Sequence, residues 1–187
     1  MKKLLIACEF SGKVREAMRK KGVDAWSCDL LPSDVPGNHI QEKLENVIGG
    51  DWDGIIAHPP CTRLAVSGAR WFYLYKKEQE DALDFVRMIF DAKISKKCIE
   101  NPVSIISSRI KKPSQIIHPW QYGHGETKAT CLWLENLPLL VPEKIVPGRE
   151  PRIHRLPPSP NRWKLRSETY QGIADAMANQ WSSLFIS

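Results

Sequence analysis

The sequence predicts an α/β protein built on a doubly wound sheet. Short apolar runs of the kind that form buried strands alternate with stretches of helical periodicity, in the order β-α-β-(α)-β-α-β. Such an alternation is typical of strands joined by crossover helices. The chain has 187 residues, which is the size of one domain, and we expect residues 1–187 to fold as a single unit.

The first half of the chain is predicted to form three main strands. The segment KKLLIACEF is interpreted as the first strand, and SGKVREAMRKKG as a helix that Ser11 caps and Gly22 ends. The second strand, VDAWSCDL, ends at Asp29. After the loop LPSDVPGNH, the segment IQEKLENVIGG holds a short strand or a helical turn, and DGIIAHPP forms the next strand.

The second half contains the clearest helix, KKEQEDALDFVRMIFDAK, whose apolar residues recur on one face. The preceding RWFYLY is interpreted mainly as packed on the sheet, with stacking on a base as the alternative. KKCIENP is a strand that Pro102 ends, and TKATCLWLENLP is a late strand. Residues 138–166 are rich in proline and basic residues and predict an irregular arm, and Ser167 caps a final helix predicted over 167–184.

The composition restricts the classes of protein to consider. The formal net charge of +6 suits a polyanionic partner such as nucleic acid or a nucleotide. Five cysteines without a CxxC pair argue against a disulfide framework or a zinc ribbon and favour a reducing, cytoplasmic location. No apolar run reaches the length of a membrane span, so we expect no membrane partner. His58, His118 and His124 match no common zinc spacing, and we expect no metal.

Polar residues stand at the predicted ends of several strands. Glu9 follows the first strand, Asp29 ends the second, and the prolines and cysteine of residues 59–61 follow DGIIAH. Glu100 and Asn101 lie at the end of KKCIENP. Ligands of doubly wound sheets bind at the carboxyl ends of the strands, so we expect these residues to lie on one rim.

Cys61 and Glu100 are the residues of this rim best suited to carry chemistry. Two prolines stiffen the backbone before Cys61, and a thiolate is the strongest nucleophile that a protein offers near neutral pH. The apolar strand before Glu100 is expected to leave its carboxyl group poorly solvated and to raise its pKa toward the proton-donating range. Taken alone, Cys61 is better explained as a packed side chain, and ENP is a weak signal.

Taken together, five motifs resemble those of the cytosine-C5 DNA methyltransferases. They follow the order EFSG, CDL, PPCT, ENP and GHGETK, and TYQGIADAMA resembles the closing motif of the family. PPCT and HPWQYGHGETKATCLWLENLP further resemble a compact methyltransferase-like group that is common in phages and prophages. The resemblance covers the chain from Leu4 to Trp181 and implies a Rossmann-like methyltransferase fold that uses S-adenosylmethionine as its cofactor.

The resemblance also implies which residues bind the cofactor. Phe10 packs on the adenine, the backbone at Ser11 and Gly12 approaches the amino-acid part, and Asp29 holds the ribose. Glu42 substitutes for the acidic residue that the family places at the adenine amino group. The implied cofactor set is Glu9, Phe10, Ser11, Gly12, Asp29, Glu42 and Pro59.

The same resemblance implies a covalent mechanism in which the thiolate of Cys61 adds to C6 of a cytosine and C5 then takes the methyl group. Glu100 protonates or hydrogen-bonds N3, and Lys128 stands where the family has a Gln-x-Arg-x-Arg motif that contacts the base. One lysine makes a weaker contact than two arginines. The residues implied in substrate binding are Thr62, Arg63, Asn101, His124, Arg155 and Arg162.

One departure from the family pattern bears on the substrate. Residues 138–166 are too few for a separate target-recognition domain, although their basic side chains suit phosphates. We therefore expect weak or relaxed sequence specificity, a homodimer or a partner subunit, or an unpaired substrate such as single-stranded DNA.

Other functions stay open at the level of the sequence. The enzyme could methylate a free nucleotide or a uracil base, because addition at C6 serves both rings. The chain could also be a catalytically reduced nucleic-acid-binding protein that keeps the fold. An adenine amino-methyltransferase fits less well, since those enzymes place an aromatic residue where Cys61 stands.

Overall fold

The computed structural model describes residues 2–160 and 162–186, which fold around a seven-stranded sheet. The strands are β1 (Lys3–Ala7), β2 (Asp24–Asp29), β3 (His39–Gln41), β4 (Gly54–Ala57), β5 (Lys96–Pro102), β6 (Gln115–Ile117) and β7 (Thr130–Glu135). The helices are α1 (Lys13–Lys20), α2 (Leu44–Val47), α3 (Lys76–Asp91), α4 (Ile106–Arg109), α5 (Arg152–Arg155), α6 (Arg162–Ser167) and α7 (Gln171–Trp181). Short 3₁₀ segments cover Val66–Leu74, Pro119–Gln121 and Ser182–Leu184. No helix in the described ranges is long and apolar enough to cross a membrane.

The strands follow the order β3-β2-β1-β4-β5-β7-β6 across the sheet. The strands from β1 to β5 pair in parallel, whereas β7 runs antiparallel to both β5 and β6. The chain winds outward from β1 in one direction and from β4 in the other, so the winding reverses between them. The doubly wound α/β architecture predicted from the sequence is confirmed, and ligands of such sheets bind at this reversal.

Apolar side chains cover the sheet on both faces. Along β1, Leu4 and Ile6 belong to the cluster that includes α1 and α7, while Leu5 belongs to the opposite cluster that includes α3. Trp181 of α7 and Leu83 of α3 are fully buried in these clusters. Each large apolar side chain buried in this way stabilises the fold by about 1.5–3 kcal/mol. The two layers therefore hold the strand ends in a rigid frame.

The C-terminal segment differs from the single helix expected over 167–184. Ser167 closes α6, and its Oγ donates a hydrogen bond to the carbonyl oxygen of Lys164 at 2.8 Å. The backbone of Tyr170 is extended, and α7 begins only at the next residue. The break has a physical reason, because Thr169 and Tyr170 both use their hydroxyl groups for hydrogen bonds with buried carboxylates.

The segment RWFYLY also differs from its expected packing. Most of it lies in the 3₁₀ segment Val66–Leu74, ahead of α3, and the side chains of Trp71 and Tyr73 are 48% and 67% exposed. Exposed aromatic side chains that follow the predicted nucleophile in the chain are available to a binding partner.

A buried arginine ties α1 to the loop that follows β2. Arg15 is fully buried, and its guanidinium lies 2.8 Å from the carboxylate of Glu16. The guanidinium also donates hydrogen bonds to Ser27 Oγ, Ser33 Oγ and the carbonyl oxygens of Val35 and Pro36. A buried charge is tolerated when it is paired and hydrogen-bonded in this way.

Arg15→Met is expected to lower the free energy of unfolding by about 2–4 kcal/mol, because several acceptors lose their donor. Arg19→Met is the matched control, since Arg19 lies 3.8 Å from the same carboxylate of Glu16 but is 36% exposed. Its expected cost is about 0.5 kcal/mol or less. Urea denaturation of both variants measures the difference, and equal losses would contradict the role assigned to Arg15.

Candidate functional site

Where the winding of the sheet reverses, β1 and β4 end at the same level, and the neighbouring β5 continues for three residues beyond them. The register pairs Ala7 of β1 with Ala57 of β4, and Ala57 with Ile99 of β5. His58 follows β4 directly and Glu100 is the next residue of β5, so the two stand side by side on one rim. The backbone N–H of His58 continues the ladder by donating to the carbonyl oxygen of Ala7 at 2.9 Å.

The corner at residues 59–61 is held by contacts on both sides of the thiol. The side-chain amide of Asn101 donates a hydrogen bond to the carbonyl oxygen of Pro59 at 2.8 Å, and Asn101 is almost completely buried. The carbonyl oxygen of Cys61 accepts hydrogen bonds from the N–H groups of Leu64 and Ala65 at 3.0 and 2.9 Å. The corner is therefore fixed by β5 before Cys61 and by a tight turn after it.

Cys61 is half-buried and lies within the electrostatic influence of charged side chains of the rim. Burial raises the pKa of the Cys61 thiol above its ordinary value, the charges of Lys128 and Arg166 oppose this, and the charge of Glu100 adds to it. The resting sulfur is therefore a protonated thiol near neutral pH. Ionisation during a reaction depends on Lys128 and Arg166, which favour the thiolate.

The raised pKa of Cys61 predicts that its alkylation by iodoacetamide reaches half its maximal rate above pH 9.0, the ordinary pKa of a thiol. Lys128→Met is expected to move this midpoint to still higher pH, because it removes a positive charge that favours the thiolate. Mass spectrometry of the modified peptide identifies Cys61, and Cys61→Ser sets the background. A midpoint below about pH 8 would contradict this description.

Glu100 forms a buried pair with His58. Nδ1 of His58 lies 2.7 Å from Oε2 of Glu100, and the two side chains are only 8% and 11% exposed. Burial opposes both charges, but the hydrogen bond and the mutual attraction outweigh it, so the pKa of His58 is raised and the pKa of Glu100 is lowered. This corrects the raised pKa expected for Glu100 from its apolar strand, because the strand alone does not reveal the imidazolium beside it.

Thr169 joins this pair from the segment between α6 and α7. Its buried Oγ lies 3.4 Å from Oε2 of Glu100 and 3.5 Å from Nδ1 of His58. Sequence reasoning missed both His58 and Thr169 as site residues, since their contacts with Glu100 span 42 and 69 residues of the chain. The one local signal that could have identified His58 is its position directly before two prolines at the end of a strand.

Glu9 shapes the loop between β1 and α1. Its carboxylate accepts hydrogen bonds from the backbone N–H groups of Val14 at 2.6 Å and Arg15 at 3.2 Å, at the start of α1. Burial raises the pKa of Glu9 despite these bonds. Ser11 is buried in the same loop, and Gly12 has a φ of 70°, where a Cβ would lie 2.5 Å from a neighbouring methyl group. Only glycine fits at position 12, so the backbone there stays bare.

A cavity of about 260 Å³ lies at the carboxyl ends of β2 and β4. Asp29 and Glu42 contribute carboxylates to its lining, while Leu30, Leu44 and Pro60 contribute apolar surface. Carboxylates accept hydrogen bonds from hydroxyl and amino groups, and apolar walls cover a planar ring. The lining therefore suits a group such as adenosine.

A larger hollow of about 400 Å³ lies elsewhere, between the ends of α2 and α3. Its lining includes Gly50, Met88 and Lys93 and none of the predicted site residues. Both helices lead into the amino ends of strands, so this hollow is on the opposite edge of the sheet from Cys61. The smaller cavity and the adjoining rim therefore form the candidate site.

The arm covers the ring of Phe10. Trp163 of α6 meets this ring edge-on, with centroids 6.2 Å apart, and the ammonium group of Lys164 lies 5.0 Å from the centroid. Lys164 also forms an ion pair with Asp34 at 2.7 Å. Phe10 is consequently only 6% exposed, so its implied contact with adenine requires α6 to move or to form part of the same pocket.

Lys128 connects the arm with the rim. Its Nζ donates a hydrogen bond to the carbonyl oxygen of Arg166 at 2.9 Å and lies 5.7 Å from the ring centroid of Tyr170. Its positive charge favours the ionised forms of both Cys61 and Glu100. Lys128 is therefore placed to stabilise negative charge that develops between these two groups.

The other residues implied in substrate binding are spread more widely. The guanidinium of Arg63 stacks 3.6 Å over the ring of Tyr75, and Thr62 is exposed. Arg155 is exposed in α5, and Arg162 begins α6. Exposure makes Thr62 and Arg155 accessible to a large substrate such as a polymer.

His124 anchors α7. Its Nε2 accepts a hydrogen bond from the backbone N–H of Gly172 at 3.0 Å, and its ring centroid lies 5.1 Å from that of Tyr170. Burial lowers the pKa of His124, which favours the neutral form that can accept this bond. The histidine that forms a hydrogen bond with Glu100 is His58, whereas the hydrogen bond of His124 is to Gly172. Within 2–160 and 162–186, no group of three His, Cys, Asp or Glu side chains is arranged to hold a metal ion.

Comparisons with known proteins bear on the fold. No family model and no curated protein matches the sequence. Among solved structures, the chain is similar to a candidate DNA modification methyltransferase encoded within an E. coli prophage, with 14% identity, a TM-score of 0.51 and coverage of 79% of this chain and 52% of that one. It also matches a mutant of Spodoptera frugiperda DNMT2, with 15% identity, a TM-score of 0.40 and coverage of 79% and 55%. The chain thus spans about half the length of these two proteins.

The similarity to the prophage structure shows that this chain shares its fold. The fold implied by the motifs of the cytosine-C5 methyltransferase-like group is therefore confirmed. In the part of the chain that the structure describes, the segment between β7 and α7 contains two short helices, α5 and α6.

Proposed function

We propose that this chain is an S-adenosylmethionine-dependent methyltransferase that methylates C5 of cytosine in DNA through a covalent bond to Cys61. The observation that carries the proposal is the grouping of a thiol, a carboxylate and a lysine on the rim beside a cavity that suits adenosine. The prophage protein of similar fold is described as a candidate DNA modification methyltransferase, which agrees with DNA as the substrate.

The cavity and the Glu9–Gly12 loop would hold the cofactor, which supplies a methyl group on a sulfonium centre. Asp29 would accept hydrogen bonds from the ribose hydroxyl groups and Glu42 from the adenine amino group, since both carboxylates line the cavity. A hydrogen bond from the N–H of Lys43 lowers the pKa of Glu42 and keeps this acceptor ionised. The bare backbone at Gly12 would let the loop approach the amino-acid part.

The residues of the rim would overcome the poor nucleophilicity of C5. The thiolate of Cys61 adds to C6, which forms a carbon–sulfur bond and moves an electron pair toward N3. Glu100 would form hydrogen bonds with the edge of the ring that carries N3 and the amino group. Lys128 would stabilise the negative charge that develops on the ring. C5, activated in this way, would accept the methyl group that the bound cofactor supplies from its sulfonium centre, which would leave as a thioether. Loss of the C5 proton and expulsion of the Cys61 thiolate restore the aromatic ring.

Relaxed sequence specificity follows from the small size of the arm. The helices in the described part of the arm, α5 and α6, are short, and an ion pair of 2.7 Å between Arg152 and Glu126 joins the arm to the core. Its exposed basic side chains, such as Arg155, would contact phosphates, which positions a strand without reading its bases. The base-reading contacts that the arm does not make would come from a homodimer or a partner subunit, or the substrate would be unpaired DNA. The reaction would take place in the cytoplasm of a cell that carries the phage or prophage.

Two observations favour other candidates. The short arm builds no long surface for a duplex, which favours a free pyrimidine nucleotide or a uracil base as the second candidate substrate. The exposed rings of Trp71 and Tyr73 suit stacking with unpaired bases, which a nucleic-acid-binding protein without turnover would also use.

The distinguishing experiment offers labelled S-adenosylmethionine with duplex DNA, single-stranded DNA, RNA and free nucleotides in separate reactions. We expect label in DNA cytosine, together with tritium release from DNA that carries tritium at C5 of cytosine, because that hydrogen is replaced. Lys93→Met, which alters the distant hollow, is expected to retain full transfer. Label in a free nucleotide, or binding without transfer, would favour the corresponding alternative, and label on an exocyclic amine would overturn the proposal.

A further inference from the structure

His58 lies between two buried carboxylates at the ends of three adjacent strands. Glu100 of β5 forms a hydrogen bond with it, in which Oε2 of Glu100 lies 2.7 Å from Nδ1 of His58. Glu9 follows β1 on the other side of β4, and its negative charge also acts on His58. His58 thus connects the loop beside the cofactor cavity with the rim that carries Glu100. Its Nε2 is buried and has no hydrogen-bond partner among the described residues.

The two oxygens of Glu100 have different surroundings. Oε2 is engaged by His58 and, at 3.4 Å, by Oγ of Thr169. The hydrogen bonds found to this carboxylate within 2–160 and 162–186 all end on Oε2, and 11% of the side chain remains exposed. Oε1 is therefore the oxygen that a bound pyrimidine can reach.

We propose that His58 is a positioning residue for the reaction proposed above, and that it stores the proton which the pyrimidine ring takes up when Cys61 adds to it. The inference rests on the proposed function. Before the reaction, the hydrogen bond from Nδ1 orients Glu100 so that its carboxyl group lies between His58 and the ring.

The pair closes the proton balance of the addition step. The resting Cys61 is a thiol and first loses its proton to water. The site then holds a thiolate at Cys61, an imidazolium at His58, a carboxylate at Glu100 and a neutral ring. Formation of the S–C6 bond moves an electron pair onto N3. The Nδ1 proton passes to Oε2 of Glu100. Rotation of the protonated carboxyl group then turns this proton toward the ring, where N3 takes it. The site then holds a neutral imidazole, a carboxylate and a neutral adduct. After methyl transfer, the C5 proton leaves to water, the thiolate is expelled, and the N3 proton returns to His58.

The charges that face His58 favour its protonated form. Burial lowers the pKa of His58, and Lys128 acts in the same direction from the segment before β7. The hydrogen bond and charge of Glu100 from β5, together with the charge of Glu9 from the loop after β1, outweigh both effects and raise the pKa. A buried histidine without these carboxylates would be neutral and would have no proton to supply.

Titration of His58 tests the inference without any methyl transfer. In the full chain with ¹⁵N-labelled histidine, we expect His58 to titrate above the ordinary value of 6.5, with His58→Asn assigning its signals. Glu100→Gln is expected to lower the pKa of His58 because it removes a negative charge, whereas Thr169→Val removes only a long hydrogen bond and should change it far less. A His58 that is neutral at pH 6.5, or that Glu100→Gln leaves unchanged, overturns the proposal.

The pH dependence of transfer gives the second readout. His58→Asn keeps an N–H donor near the position of Nδ1 but loses the stored proton, so we expect kcat to fall about 10²-fold with a smaller change in KM. The decline in rate at high pH, where the pair loses its proton, is expected to disappear in this variant. An unchanged kcat and pH profile overturns the proposal. An unaltered chain that transfers no methyl group overturns the proposed function, so the two failures are distinguishable.

Discussion

Cys61→Ser is expected to lower methyl transfer by roughly 10⁴-fold or more, to the background of the assay. A serine hydroxyl is much less acidic than a thiol, and the charges of Lys128 and Arg166, which favour the thiolate of Cys61, are too weak to ionise it. The variant is expected to keep its affinity for S-adenosylmethionine, measured by equilibrium dialysis, because serine resembles cysteine in shape.

A DNA substrate with 5-fluorocytosine makes the same test more direct. The C5 fluorine is not lost as a proton is, so the covalent adduct persists and adds the mass of the nucleotide to the peptide that contains Cys61. Cys131→Ala is the matched control, since Cys131 is buried in β7 and is expected to keep both transfer and adduct. Normal transfer by Cys61→Ser, or an adduct on another residue, would show that the covalent mechanism is wrong.

Gly172→Ala is expected to lower the free energy of unfolding by about 3 kcal/mol or more. A Cβ at position 172 would overlap the backbone carbonyl oxygen of Tyr122 and would lie 3.2 Å from Nε2 of His124. Neither group can move freely, because Tyr122 is almost completely buried and His124 accepts the hydrogen bond of Gly172 itself. The first turn of α7 would have to shift away from the sheet.

Gly49→Ala provides the control for this substitution. No atom lies within 4 Å of a Cβ built at position 49, so the expected change is within about 0.5 kcal/mol. Thermal unfolding is expected to show a Tm that is roughly 6–12 °C lower for Gly172→Ala than for Gly49→Ala. Equal values of Tm would mean that α7 does not approach Tyr122 as closely as the structure indicates.

The strands and long helices could be predicted because their signals are local. The apolar run of β1 and the helical face of α3 each lie within one continuous segment, and both elements form where expected. The antiparallel direction of β7 could not be predicted, since it depends on which distant strand becomes the neighbour. The break before α7 has a similar origin, because it follows from hydrogen bonds that Thr169 and Tyr170 make with carboxylates far away in the chain.

In the candidate site, too, some features could be identified from the sequence and others could not. Cys61, Glu100 and Asp29 were identifiable because each lies in or shortly after a strand that its own neighbours define. Their surroundings were not, and the ring of Phe10 illustrates this, since it is covered by a side chain of α6 that no local pattern connects with it.

What the sequence by itself determined is the placement of reactive residue types at strand ends, because strand formation is encoded by neighbouring residues. What only the tertiary structure decided is their state of charge. The pKa of Glu100 falls instead of rising because His58, which is 42 residues away in the chain, lies 2.7 Å away in space. Charge acts through distance in space, and sequence spacing does not report that distance.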